Sequence, residues 1–224
     1  MSSYHLVRDQ EDAALIIANG AACSQELLQA MLEWQPYVVV LDSALERVLP
    51  LNIKIDAVLG DFDRGFDPKK GLESQFPIEI VHCPDQEKTD LEKAFEWLIE
   101  KGFSEVHVLW ATGKRADHHW HNMSAMVPYR DQLKVVVLDD YSRIFLAQKR
   151  FEKWYSQGTI LSLVPLNKVD GISTVNLLFP LQNESLELGV RMGTSNQVQQ
   201  DGLVIITHQS GHLLLMECYD EPFC

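Results

Sequence analysis

The chain has 224 residues, of which 46% are hydrophobic and 23% charged, enough apolar material for one large packed core or two small ones. Its formal net charge of -13 repels a polyphosphate backbone and argues against nucleic acid as a partner. Four widely spaced cysteines form no C-x-x-C pair, and no apolar run approaches the ~20 residues that span a bilayer, so the expectation is a cytoplasmic protein with reduced thiols and no membrane contact.

From residue 14 to about 139, short apolar runs alternate with segments of helical period, the pattern of a mostly parallel sheet with helices on both faces. In chain order the expected strands are 15–18, 37–42, 57–61, 78–83, 106–111 and 133–139. Ser24 is placed to cap a helix running to Trp34, with Leu27, Leu28, Met31 and Leu32 on one face. The clearest helix spans 89–102, where Leu91, Ala94, Phe95, Leu98 and Ile99 keep the i, i+3, i+4 spacing. Thr89 and Glu92 form its capping box and Gly102 its stop.

Beyond residue 141 the texture changes to strand-like runs separated by Gly, Asn, Pro and Ser, so an all-β carboxy-terminal domain is expected. The reading divides the chain into an α/β domain at 1–140 and a β domain at 141–224. "HQSG", 208 to 211, between two apolar runs, predicts a hairpin turn.

In open α/β sheets ligands bind beyond the carboxyl ends of the strands, where Asp42, Asp61 and Asp63 fall. Two carboxylates ~4 Å apart at a surface-like dielectric repel by about 4 kcal/mol. A divalent cation resolves that conflict, and oxygen-only ligands favour a hard ion, Mg2+ or Mn2+. Asp90, in the first turn of its helix, is placed to join them. A bare D-x-D is equally compatible with a solvated acidic turn.

"ATGKRADHHWHNM", 111 to 123, follows another strand, so Lys114 and Arg115 can grip phosphate oxygens while Asp117 caps a helix or orients a partner. His118, His119 and His121 lack a third ligand at a zinc spacing, and helix-face or supporting roles suit them better. Neither G-x-x-x-x-G-K-[ST], G-x-G-x-x-G nor G-x-S-x-G occurs, and Cys83 reads as a small buried thiol rather than a nucleophile.

Taken together, "GDFD" (60 to 63), "PDQEKTD" (84 to 90), "RADH" with Asn122 (115 to 122) and "TSN" (194 to 196) resemble thiamine pyrophosphokinase. The resemblance implies an α/β ATP- and Mg-binding domain, a carboxy-terminal β-sandwich domain that binds thiamine, and a homodimer with active sites at the subunit interface. It implies ATP-dependent pyrophosphoryl transfer to the hydroxyethyl oxygen of thiamine, giving thiamine diphosphate and AMP. Residue by residue, it assigns Asp61, Asp63 and Asp90 to Mg2+. Gln86, Thr89, Arg115, Asp117 and Asn122 fall to ATP, and Ser195, Asn196 and Phe179 to thiamine. Asp63 or Asp42 is the candidate proton acceptor, and both stay open.

The chain also departs from the family pattern. "LDSALE", 41 to 46, stands for A-D-G-G-A-N, Arg64 for the Ser after G-D-F-D, and "NLLF", 176 to 179, for a G-L-K-W/Y stretch. The rival readings are a diphosphokinase for a pterin or similar alcohol, a D-x-D glycosyltransferase, an aspartyl phosphatase, and a non-catalytic thiamine or nucleotide sensor. The phosphatase usually wants Thr or Val after D-x-D, where this chain has Arg64 and Gly65.

Overall fold

The computed structural model describes residues 13–63, 72–75 and 77–223. The chain forms two compact units. One runs to Asn122 and takes in Asp131–Lys134, and the other holds Met123–Arg130 and the chain from Val135 onward.

The first unit begins with β1 (Ala14–Ile17), α1 (Gln25–Leu32), β2 (Tyr37–Leu41) and α2 (Leu45–Val48). It continues through β3 (Ala57–Gly60), β4 (Glu79–His82), α3 (Asp90–Glu100), β5 (Glu105–Leu109) and α4 (Ala116–Ser124). The strands lie in the order β4-β3-β2-β1-β5, and every neighbouring pair is parallel. All five carboxyl ends therefore share one edge, which is where the polar motifs sit. Register fixes the details: Leu41 pairs with Leu59, so Asp42 stands beside Gly60, and Ile17 pairs with Leu109, so the loop after β1 meets the loop after β5.

Strand residues such as Leu15, Ile16, Val39, Val58 and Val108 are fully buried, as expected for a parallel sheet covered by helices. The Ser24 hydroxyl accepts from the Leu27 amide at 3.2 Å, and α1 buries Leu27, Leu28 and Met31. α3 starts as the capping box predicts and buries Leu91, Ala94, Phe95 and Leu98. Each of its larger apolar side chains contributes roughly 1.5–3 kcal/mol. Lys93 is buried on the same helix.

The second unit holds β6 (Lys134–Asp139), β7 (Ser142–Leu146), β8 (Arg150–Tyr155), β9 (Ile160–Val175), β10 (Glu184–Glu187), β11 (Gly193–Gln197), β12 (Gly202–Thr207) and β13 (Ser210–Cys218). Residue 134 itself packs with the first unit. The strand order is β6-β7-β13-β9-β12-β8, with β10 and β11 also on β9, and the pairings within this set are antiparallel. Two of the strand-like runs, "TILSLVPL" (159 to 166) and the start of "GISTVNLLFPL" (171 to 181), are joined in one 16-residue strand that ends at Val175.

The hairpin expected at "HQSG" is absent. β12 and β13 pair with successive stretches of β9 and not with each other. β13 follows β9 as far as Asp170, β12 takes over at Ser173, and Gly171 between them has φ of 69°, a left-handed bend that glycine tolerates. "HQSG" is therefore a bend at which the chain passes from one stretch of β9 to the next. Its local turn chemistry looks the same as a hairpin's.

Candidate active site

The "GDFD" turn is built by close approach. At Gly60 a Cβ would lie 2.2 Å from Cγ of Asp42, so only glycine lets the Asp42 carboxylate pack over the end of β3. There Asp42 Oδ2 accepts from the Phe62 amide at 2.9 Å, which holds Phe62 at φ of 55°. A bulky residue in that region costs energy and persists only where its surroundings fix it. The outlier turns the chain so that the Asp63 amide reaches Asp61 Oδ1 at 3.3 Å, and Gln86 Nε2 reaches Asp61 Oδ2 at 3.2 Å. Gln86, assigned to the same site from the sequence, is thereby brought onto Asp61.

These carboxylates feel one another. Burial raises the Asp42 pKa, and the charges of Asp90 and Asp61 add to it. Lost solvation and the adjoining Asp61 and Asp42 charges raise the Asp63 pKa. For Asp61, lost solvation is outweighed by the Asp63 amide, the Gln86 amide and the charge of Lys93, which together hold the carboxyl below its usual range.

Lys93 is the member that sequence reasoning missed. Its Nζ donates to Asp90 Oδ1 at 3.1 Å and to the Cys83 carbonyl at 3.0 Å, and the residue is 6% exposed. It ties the strand end of β4 to the first turn of α3 inside the acid cluster. The available signal was a lysine three residues after Asp90, on the face that also buries Ala94.

Among the described residues no three His, Cys, Asp or Glu side chains are already gathered as a ligand set. Asp90 is turned to Lys93 rather than to Asp61 or Asp63. The donor chemistry nevertheless suits a hard divalent cation: all-oxygen ligands, excess negative charge, and carboxyls pushed upward by lost solvation and then by like charge. Arg64 lies outside the described residues.

Thr89 is committed to its cap. Glu92 Oε2 accepts from the Thr89 amide at 2.9 Å and its hydroxyl at 2.8 Å, and the same oxygen meets His121 Nε2 at 3.0 Å. The histidine run thus supplies a tie between α4 and α3. Asn122 Nδ2 donates to the Ala111 carbonyl at 2.8 Å, which pins α4 to the loop after β5. Arg115 and Asp117 face each other as a fork: Nε donates to Oδ1 at 3.1 Å and Nη2 to Oδ2. Facing Arg115, the Asp117 carboxyl drops to about 2. Both side chains are well exposed, at 72% and 63%. Cys83 is half-buried, and burial raises its thiol pKa, which suits an inert thiol.

In the second unit, Asn196 is 6% exposed and wholly used on backbone. Its Oδ1 accepts from the Phe179 amide at 3.0 Å, and its Nδ2 donates to the Phe179 carbonyl at 2.8 Å. The structure therefore joins Asn196 to Phe179, whose ring is 65% exposed. Ser195 has φ of 55°, its amide donates to Ser162 Oγ at 2.9 Å, and its own side chain is exposed.

A parallel α/β unit with carboxylates, amides and cations along one strand edge, joined in sequence to an antiparallel β unit, defines a two-part transferase of the diphosphokinase class. Residues 28–137 match the thiamin pyrophosphokinase catalytic domain, and residues 148–213 match the thiamin pyrophosphokinase vitamin B1 binding domain. The chain belongs to the thiamin pyrophosphokinase family. It is similar to thiamin pyrophosphokinase 1 of Caenorhabditis elegans, 26% identical over 72% of this chain and 71% of the relative. It is also similar to thiamine pyrophosphokinase of Bacillus subtilis, 25% identical over 62% and 67%. In fold it matches the crystal structure of thiamine pyrophosphokinase from Bacillus subtilis with a TM-score of 0.79 and 19% identity, covering 93% of this chain and all of that one. The yeast thiamin pyrophosphokinase structure also gives 0.79, at 16% identity over 96% and 88%.

Proposed function

We propose that this chain transfers the pyrophosphoryl group of ATP to the hydroxyethyl oxygen of thiamine. The observation that carries the reading is that both family domains, catalytic and vitamin B1 binding, occur in order along one chain. The thiamine oxygen attacks the β-phosphorus, the bond from that phosphorus to the α-bridging oxygen breaks, and AMP leaves. The alcohol proton passes to a carboxylate of the strand-end cluster, Asp63 or Asp42.

In this reading Asp61, Asp63 and Asp90 would hold Mg2+, which would neutralise phosphate charge. Asp90, which now meets Lys93, would be free to serve the ion only by giving up that contact. Gln86 and Thr89 keep the loop before α3 in place for ATP, Asn122 steadies the loop after β5, and Arg115 turns from Asp117 to a phosphate oxygen. Ser195 and Phe179 meet thiamine, with Asn196 positioning Phe179 through its backbone. A homodimer with active sites at the subunit interface and a cytoplasmic location belong to the same proposal. Sedimentation and fractionation test those two points.

The test of the reaction is magnesium-dependent release of AMP from ATP with thiamine, run beside a pterin alcohol. Thiamine-dependent AMP formation is the expected result. AMP formation with the pterin alone sinks the substrate, and tight binding of both substrates without AMP sinks the enzyme.

A further inference from the structure

On the same carboxyl edge as the acids, two cations stand together. Arg47 of α2 donates from Nη1 to Asn19 Oδ1 and to the Gly20 carbonyl, each at 2.9 Å. Lys114 Nζ donates to the same Asn19 Oδ1 and to the Asn19 carbonyl, both at 3.1 Å. Among the described residues neither cation has a carboxylate within ion-pair distance. Their shared partner is a neutral amide, and lost solvation followed by the nearby Arg47 charge lowers the Lys114 pKa. Among the described residues these like charges are thus held together without a counter-ion, in a protein of net charge -13 that has acids to spare.

Four further features mark the spot. Lys114 has φ of 52°, a left-handed conformation in which a lysine is strained, so this backbone holds it where a relaxed lysine would not stay. The platform is stitched in place: the Gly20 amide donates to the Trp110 carbonyl, and the Ala21 amide donates to the Thr112 carbonyl at 2.7 Å. The Trp110 ring lies under the Arg47 guanidinium at 4.5 Å, and its buried Nε1 has no acceptor among the described residues. An orphaned donor beside two unpaired cations asks for an anionic acceptor. Lys114 also borders an open cleft of about 490 Å³, completed by Gly113, Ala116, His119 and Trp120.

We infer that Arg47 and Lys114, braced on Asn19 and Trp110, form a polyphosphate subsite that holds the ATP triphosphate opposite the acidic cluster. The inference rests on the proposed reaction for its ligand. Asp42 follows β2 and Asn19 follows the neighbouring β1, so the two sites lie one to two strand spacings apart, roughly 5–10 Å. Arg115 is already matched by Asp117, whereas among the described residues Arg47 and Lys114 have no ion pair to break.

Lys114→Gly tests this best, because glycine relieves the backbone while removing the charge. Its melting temperature should be unchanged or higher, and the Kd values for ATP and for inorganic tripolyphosphate should rise about tenfold, the worth of a lost charge-assisted hydrogen bond. Thiamine affinity should not change. Arg47→Gln, which keeps a donor toward Asn19, should weaken the same two ligands. Wild-type affinity for both in Lys114→Gly overturns the subsite, as does a wild-type chain that binds neither. Tripolyphosphate separates this from the reaction itself: binding lost in Lys114→Gly in a chain that makes no AMP sinks the reaction and supports the subsite. AMP formation with an unchanged KM for ATP in both variants does the reverse.

Discussion

Glu217 and Asp42 are both carboxylates drawn out of water, and their surroundings treat them in opposite ways. Glu217, 3% exposed in the β unit, accepts at Oε1 from Tyr155 at 2.5 Å and Lys153 at 2.8 Å, with Arg143 at 3.4 Å. Burial works to raise its pKa, but the charges of Arg143 and Lys153 and the bonds from Lys153 and Tyr155 outweigh it and leave the pKa lowered. Asp42 has an amide donor and Asp90 and Asp61 for charged neighbours, so its pKa rises. A carboxylate that serves the fold is matched. One kept short of positive charge has a job that involves a ligand.

The strongest test of that contrast is Asp61→Asn. If the cluster is a phosphoryl-transfer site, metal-dependent AMP formation should fall by at least ~10²-fold, because electrostatic positioning carries most of such catalysis. Stability should move by less than about 1 kcal/mol, since Asp61 is at the surface end of the cluster. Activity retained with a large drop in melting temperature would make the cluster structural.

The next largest effect belongs to the matched partner. Glu217→Gln leaves Arg143 and Lys153 without their shared counter-charge and should cost about 2 kcal/mol, less than a wholly buried pair because Lys153 is 44% exposed. The pH dependence has a definite sign. With a folded pKa below the usual 4.5, Glu217 contributes stability above that value and loses it as pH falls through the lowered one. The acid limb of the wild-type stability curve should therefore flatten in Glu217→Gln. Asp42 has the reverse sign: its raised pKa means that ionisation opposes folding once pH rises past 3.8. Asp42→Asn, which can still accept from Phe62, should raise the melting temperature at neutral pH while it lowers turnover.

The chemical motifs were legible because they are local. "GDFD" follows a buried run, "PDQEKTD" ends in a capping box, and the parallel order needed only alternating elements. What escaped depends on long-range placement. Arg47 reaches Asn19, 28 residues away, and Lys114 reaches the same residue across 95. Lys93 reads as an ordinary helix lysine until Cys83 is seen beneath it. "HQSG" has hairpin chemistry, yet the partner of both flanking runs is a strand that ended more than 30 residues earlier. Asn196 sits in a thiamine-family motif, but its side chain is spent on Phe179, which only the fold brings near.

Thr89 gives the smallest effect and the finest division between the two kinds of residue. The family pattern places it beside ATP, while in this fold its hydroxyl both accepts from the Glu92 amide at 3.4 Å and donates to Glu92 Oε2. Thr89→Ala removes both bonds and should cost about 1 kcal/mol, the usual worth of an N-cap. Because the same Glu92 oxygen meets His121, the tie between α3 and α4 should loosen, and KM for ATP should rise only about twofold to threefold, a few tenths of a kcal/mol. Thr89→Ser keeps the hydroxyl and should restore both quantities. A rise of about tenfold in KM with no loss of stability would instead make Thr89 a direct ATP contact and move it from the fold's side of the comparison to the site's.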